Sequence, residues 1–371
     1  MRDWVVHRCR GRLLMRKIKE KPYVTNLLEF QRAFPDEQAC LDYLELVRWP
    51  DGFTCPKCDV LDEPYYISTR PRVLVCRSCR AETSLTAGTI MHRTKTSLQV
   101  WFWAAYLVTS QTPGMSALQF KRQLGLTRYE TAFQMLHKLR VAMVRPSRSK
   151  IGEGEDVDGN LQCYSVELDE TYVGGRTRGK GRGVTEKVVA VGAVEVRISE
   201  KEDLVDGEYK KRRYAGRLRM RLIPNRGKVA LTKFATENIK TGTTVMTDDW
   251  VGYVDLWKWF DHEVVMPDVE AEGMTKSELQ AEKGEQIPLI HLVFSNLKTW
   301  IQGTHHGVSP KHLQAYLNEY VFRFNRRFYP MSGFHSVLGI AMEVEGSEYK
   351  DLYGDVWEHP NAEELWDFDS D

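Results

Sequence analysis

CPKCDVLDEPYYISTRPRVLVCRSC, residues 55–79, carries two CxxC pairs, Cys55-Pro-Lys-Cys58 and Cys76-Arg-Ser-Cys79, with 17 residues between them. Four thiolates at that spacing close one tetrahedral Zn²⁺ site. Turn signals at Pro50-Asp51-Gly52 and Pro56, and the run Arg72-Val73-Leu74-Val75 feeding the second pair, predict two short hairpins, the pattern of a zinc ribbon. Every coordination position is taken by protein sulfur, so none remains for water or substrate and the metal is read as structural. Ribbons of this kind sit most often on nucleic acid, which makes double-stranded DNA the first partner to expect.

Around the ribbon lies a chain of 371 residues, enough for two or three domains. Its longest apolar run, Val100 to Val108, falls far short of the roughly 20 residues that span a bilayer, so no membrane partner is expected. The arginine-bearing N-terminus has neither the apolar core nor the cleavage site of an export signal. Cys9, Cys40 and Cys163 are left over from the zinc set, an odd and scattered remainder that fits a reducing cytoplasm. The net charge of +1 hides an asymmetry that matters for a nucleic-acid partner. Arg2 to Lys21, Lys121 to Lys150 and Lys210 to Lys228 are basic, whereas Glu343 to Asp371 holds eleven acidic residues against the single Lys350 and reads as a solvated tail.

Ahead of the ribbon, Asp36 to Val47 reads as a short amphipathic helix, with Cys40, Tyr43, Leu44 and Val47 on one stripe. Behind it, Thr96 to Ser110 is apolar nearly all round and predicts a buried helix. Ser116-Ala-Leu-Gln119 and Thr127-Arg-Tyr-Glu130 then open two helices as capping boxes, separated by Gly125. Such a pair predicts a helix-turn-helix, whose second helix offers Arg128, His137, Lys138 and Arg140 to a DNA groove or phosphate. IGEGEDVDGN (151–160) marks a linker. Beyond it, strands around Val166 and Leu168, over 187–196 and over 217–223, a helix over 233–240, a strand over 243–246 and a mostly helical remainder predict a mixed sheet with helices on its faces.

Two aspartates stand at strand ends in this second half, Asp169 in VELDETYVGG and Asp248 in VMTDDWVGY. Brought side by side they are hard oxygen ligands for Mg²⁺, which binds through one or two carboxylates plus substrate phosphates, and they read as a phosphoryl-transfer site. GGRTRGKGRG (174–183) is a basic loop directly after Asp169; Arg176, Arg178 and Lys180 suit a clamp on the DNA backbone, and the loop lacks the spacing of a nucleotide-binding P-loop. His305-His306 lack the i, i+4 relation of helix metal ligands and read as a loop, after which Ser309-Pro310 starts a helix.

The ribbon, the helix pair, VELDETYVGG, TDDWVGY and HLVFSNLKTWIQGTHHGVSPKHLQAYLNEYVFRFNRR (291–327) together resemble the insertion-sequence transposases of the ISXO type, over about Leu27 to Tyr329. The resemblance implies an α/β fold: a small zinc ribbon and a helical helix-turn-helix region, followed by a ribonuclease-H-like mixed sheet flanked by helices. Its expected division is a basic arm over 1–35, helix plus ribbon over 36–90, helix-turn-helix over 91–150, linker over 151–160, DDE-class catalytic domain over 161–330 and acidic tail over 331–371. It further implies structural Zn²⁺, catalytic Mg²⁺ or Mn²⁺ on Asp169 and Asp248, and cleavage and joining of DNA strands at the inverted repeats of a mobile element. Implied too are phosphate contacts from Arg323, Asn325, Arg326 and Arg327, a homo-oligomer of at least two copies, and a bacterial cytoplasmic, nucleoid-associated setting.

The chain departs from that family at the third acid, which relatives carry seven residues before a lysine. Seven before Lys298 stands His291, the first candidate, with Asn296 the second; the two lie roughly 140° apart around a helix. Lys298 is assigned a DNA phosphate. Imidazole suits softer metals than Mg²⁺, which points to Mn²⁺ or to lost activity. Glu282 and Glu285 lie upstream without a distinguishing spacing. The alternative function is a catalytically inactive, sequence-specific DNA-binding protein derived from such an element. A zinc-dependent hydrolase is excluded, because the one convincing zinc site is saturated with cysteine.

Overall fold

Caps present in the sequence start most helices of the first of two units into which the chain divides, Met1–Val144 with Tyr329–Tyr353. The computed structural model describes residues 4–9, 12–17, 23–145, 148–152, 163–176, 185–205, 208–265, 286–346, 351–352 and 359. After a hairpin of β1 (Trp4–Cys9) and β2 (Arg12–Lys17), α1 (Leu27–Ala33) begins where the Asn26 side chain accepts the Glu29 amide at 3.0 Å. The Asp36 carboxylate caps α2 (Glu37–Arg48) through the Ala39 amide at 2.9 Å, and Ser97 caps α3 (Leu98–Ser110). Ser116 caps α4 (Ala117–Gln123) through the Gln119 amide, as its sequence predicts. The second capping box does not form: α5 (Tyr129–Val141) starts after Arg128 without a side-chain cap, leaving Thr127 one residue too early. Gly125 makes the turn between the two helices with a φ of +62°, a conformation that a Cβ disfavours.

Phe30, Phe34, Tyr43, Phe102 and Phe334 interlock at centroid distances of 4.8–5.9 Å, one ring or two from each of four helices. The last belongs to α9 (Met331–Ala341), where an acidic tail was expected to begin. MSGFHSVLGIA carries no charge at neutral pH and repeats apolar residues at helical spacing, so it folds into the core, and the acidic run starts only at Glu343. Residues 347–350, 353–358 and 360–371 of that tail lie outside the described residues. Likewise α1 lies within the stretch read as a basic arm, and Phe30 ties it into the core. Val24 donates its amide to His335 Nε2 (2.9 Å), so the imidazole proton sits on Nδ1 and is given to the Tyr43 oxygen (2.8 Å).

β3 (Tyr65–Tyr66), β4 (Val73–Val75) and β5 (Glu82–Ser84) form a three-stranded antiparallel sheet beside the four cysteines. The two CxxC turns repeat one geometry. The Asp59 amide donates to the Cys55 carbonyl (2.9 Å) and the Arg80 amide to that of Cys76 (3.0 Å), and Asp59 and Arg80 both take a positive φ, 53° and 62°. Cys55 and Cys79 sulfurs are 3.6 Å apart, those of Cys58 and Cys76 3.7 Å, and all four ligand atoms lie within 4.8 Å of one another. Zinc–sulfur bonds of about 2.3 Å in a tetrahedron separate sulfurs by about 3.8 Å, whereas a disulfide would need about 2.05 Å. The donor set fits Zn²⁺.

The second unit, Arg145–Phe328 with Gly354–Asp371, is built on a five-stranded mixed sheet. β6 (Ser165–Arg176), β7 (Thr185–Val205) and β8 (Glu208–Ile223) form an antiparallel meander; β9 (Thr244–Thr247) returns parallel to β6, and β10 (Asp261–Val264) lies parallel to β9, giving the order β10-β9-β6-β7-β8. Alternation along β6 splits the two cores. Val166 and Leu168 pack with Leu231 and Phe234 of α6 (Lys228–Asn238), while Val173 packs with Ile290, Val293 and Leu297 of α7 (Pro288–Trp300) and with Leu313 and Leu317 of α8 (Leu313–Phe324). This is the mixed sheet flanked by helices of a ribonuclease-H-like fold. The edge of β8 is covered by α8 and the residues after it: Gln314 accepts the Leu222 amide, Asn325 bonds both backbone groups of Leu218, and Arg327 donates to the Ala215 carbonyl.

Two local readings change. Ile151 and Gly152 are docked rather than part of a linker: the Ile151 amide donates to Asn238 (2.7 Å), the Gly152 amide to the buried Glu195 (3.1 Å), which also pairs with Arg197 and Arg217. Residues 153–160 lie outside the described ones. Ile301–His305 continue α7 as a π-helical turn where a loop was read, held by His305 packing between Trp300 and Tyr316. Among the described residues no helix is long and apolar enough to cross a membrane.

One contact sets where α7 sits on the sheet. The helix has no cap of its own at Ile287; the carboxylate of Glu167 on β6 accepts the Ile290 amide at 2.8 Å and that of Leu289. Glu167 is buried, and burial pushes its carboxyl up to about 7. Substituting Glu167→Ala orphans two amides and is expected to lower stability by about 2–4 kcal/mol in denaturant unfolding, with Glu167→Gln, which keeps an acceptor, within about 1 kcal/mol of the parent. For the ribbon, elemental analysis of the purified protein is expected to find one zinc per chain. Cys58→Ser or Cys76→Ser should lose most of it together with the cooperative unfolding of the first unit.

Candidate active site

Register brings the two aspartates together. Val166 pairs with Val245 and Glu167 with Met246, an offset of 79, so the same offset sets Asp169 beside Asp248 on one face of two parallel strands. The pairing stops before that level: β9 ends at Thr247, and Asp248 leaves the sheet with its Oδ1 accepting the Trp250 amide at 3.1 Å. Asp169 is not at a strand end, as its sequence suggested, but in the interior of β6, where β7 supports its other side by pairing Gly192 with it. Its side chain is 13% exposed. Burial raises its carboxyl to about 8, reinforced by the negative charges of Glu170 and Asp248 and opposed by the Glu170 amide and by Arg226. Arg226 thus offsets burial and the neighbouring acids only in part.

His291, on the first turns of α7, points its Nε2 at Asp169 Oδ2 across 3.4 Å. Two features of the sheet allow this approach. Glu167 draws in the helix N-terminus, and Gly192 leaves room for it: a Cβ there would stand 2.9 Å from the Phe294 ring and 3.0 Å from the Ile290 side chain. Burial lowers the imidazole pKa, with Asp248 raising it and Lys298 lowering it further. Lys298 is thus close enough to act on His291, seven residues on, and is itself exposed. Asn296 is exposed as well and lies roughly 140° around the helix from His291.

A second set of groups went unnoticed in the sequence. Glu170, on the opposite face of β6, is paired with Arg226 and accepts the hydroxyl of the buried Tyr253. Burial, Glu170 and Asp169 together push the Tyr253 hydroxyl far above its ordinary range, so it acts as a donor. The alternating acids of VELDE could have signalled that Glu167 and Asp169 share one face and Glu170 the other; nothing in the sequence ties Arg226 or Tyr253 to them.

The cationic residues fare differently. Arg128 is exposed just before α5 and Lys138 is half-buried on it. Arg140, 1% exposed, and the fully buried His137 face the interior, so neither is available to a DNA groove on this surface. The apolar period of α5 runs through them. Arg326 stacks its guanidinium 3.8 Å from the centre of the Phe322 ring, and burial lowers its pKa to about 10. Asn325 and Arg327 are engaged with the β8 backbone rather than free for phosphate. The side chain of Arg176, all of Arg178 and Lys180, and Glu282 and Glu285 lie outside the described residues.

Comparison with known proteins agrees with this geometry. Residues 35–82 match the family described as the transposase zinc-ribbon domain, and residues 161–325 match the ISXO2-like transposase domain, a DDE-type domain. A search of curated proteins returns no match. The first match covers the four-cysteine site and the second contains Asp169, Asp248 and His291, so the chain carries a transposase zinc-ribbon domain followed by an ISXO2-like transposase domain.

Proposed function

We propose that the protein is a DNA transposase that binds the terminal inverted repeats of an insertion sequence with its N-terminal unit and cuts and joins DNA strands at Asp169 and Asp248. The observation that carries this reading is the register that brings Asp169 on β6 level with Asp248 just past the end of the parallel strand β9, with His291 against Asp169. The donor set fits a divalent cation: two hard oxygens for Mg²⁺ or Mn²⁺, and an imidazole nitrogen that favours the latter. Bound between Asp169, Asp248 and His291, such ions would activate water at neutral pH and neutralise charge on the phosphodiester.

The chain's own groups orient that chemistry. Glu167 and Gly192 hold His291 against Asp169. The Trp250 amide fixes the carboxylate of Asp248. Arg226, anchored on Glu170, adds positive charge beside the acids, and Lys298 is assigned to a phosphate of the incoming strand. Strand joining then follows by in-line attack of a freed 3′-hydroxyl on target DNA, without a covalent enzyme intermediate. Two ends must meet for this, so at least a dimer acts during the reaction. Double-stranded DNA contact by the first unit falls to Arg128 and Lys138.

The second reading, DNA binding without catalysis, draws on the histidine where relatives carry an acid. Cleavage of labelled DNA bearing the element's ends separates the two. In Mn²⁺ the parent is expected to nick, and Asp169→Ala and Asp248→Ala to lose on the order of a thousandfold or more. His291→Ala should fall by a similar factor, with Asn296→Ala near the parent. Replacing His291→Glu is expected to shift the preferred ion from Mn²⁺ toward Mg²⁺. End binding with no nicking in either ion supports the second reading.

A further inference from the structure

Trp250 is an exposed aromatic that is nevertheless pinned in place. It keeps 38% of its surface open to solvent, two residues beyond Asp248. Its indole N–H donates to the Arg226 carbonyl at 3.0 Å, the Arg226 guanidinium lies over the ring 4.3 Å from its centre, and its amide is on the Asp248 carboxylate. Arg226 is in turn fixed by Glu170 and by the Tyr172 hydroxyl. Even the neighbouring backbone is fitted to the indole: a Cβ at Gly252 would stand 2.7 Å from its nitrogen and 2.7 Å from the Arg226 carbonyl. Exposed large side chains ordinarily keep their rotamer freedom. Here it is already surrendered, which is what a binding surface gains from preorganisation.

We propose that Trp250, backed by Arg226, is a stacking platform for an unpaired base next to the phosphodiester held at Asp169 and Asp248. This deepens the strand-cleavage reading and rests on it. An indole face accepts any base, so the platform suits a flanking position whose sequence varies, and a guanidinium on its other side adds a charge attractive to the strand. The direct bond from the Trp250 amide to the Asp248 carboxylate ties the residue that carries the ring to one of the two acids.

The test is a cycle between protein and DNA, read as equilibrium affinity in Ca²⁺ with the full chain. The probe is a fluorescein-labelled element end with three unpaired flanking nucleotides, intact or with an abasic site at each position in turn. Trp250→Ala is expected to weaken binding of the intact probe about five- to a hundredfold. One abasic position should weaken the parent by the same factor and leave Trp250→Ala unchanged. Trp250→Phe, which keeps an aromatic face, should lose less and stay sensitive to that same position. If every abasic position costs the parent and Trp250→Ala equally, or costs the parent nothing, the platform is overturned, whatever the stability of the variant. Failure of the cleavage reading shows separately, as a parent that binds this probe but never nicks it in Mg²⁺ or Mn²⁺. A parent that binds no DNA overturns both.

Discussion

Two ladder pairs, Val166 with Val245 and Glu167 with Met246, join β9 to β6, and the placement of Asp248 level with Asp169 depends on them. Parallel pairing keeps both strands running the same way, so one offset carries through to the residues beyond. It ends just before Asp169 and Asp248, so Asp248 leaves β9 and turns its carboxylate to the Trp250 amide. A slip by one residue would turn one acid to the opposite face. The short strand is stabilised indirectly, by β10 on its outer side and by Val245 in the core beneath α6.

The same strand concentrates negative charge. Glu167, Asp169 and Glu170 lie within four residues of β6, with Asp248 alongside. Each is handled differently. Glu167 is buried and spends its oxygens on helix amides; Glu170 is neutralised by Arg226 and bonded by Tyr253. Asp169 accepts the amide of Glu170 and faces the His291 imidazole, with Arg226 acting on it from farther off, and its carboxyl is driven up to about 8. Three neighbouring acids thus meet three environments, and Asp169, buried beside Glu170 and Asp248, has its carboxyl raised further than that of Glu167.

Legibility in the sequence followed the range of the interactions. The ribbon was readable because its ligands fall in two local pairs, and α2, α3 and α4 because cap and apolar period lie in one window. The acids were readable as strand residues, although not their adjacency, which depends on a pairing 79 residues apart. Composition misled where charge was averaged over a long window: the acidic end of the chain concealed α9, whose Phe334 completes the aromatic core. Side-chain identity misled on α5, where Arg140 reads as a DNA contact by type but falls on the buried stripe by phase. The partners of Glu167, Glu170 and Trp250 had no local signature at all.

The position of His291 argues that the helix, not the residue type, is the constant of this site. α7 is brought to the sheet by a carboxylate on β6 and admitted by a missing side chain on β7, and neither contact involves residue 291 itself. Whatever stands there is delivered beside Asp169. A glutamate would add a further negative charge beside Asp169 and Asp248 and would need a tightly held cation to remain ionised. A histidine, kept neutral by burial, adds a donor without that repulsion. The exchange trades affinity for a hard ion against a lower electrostatic cost in the empty pocket, leaving the frame that positions the residue intact.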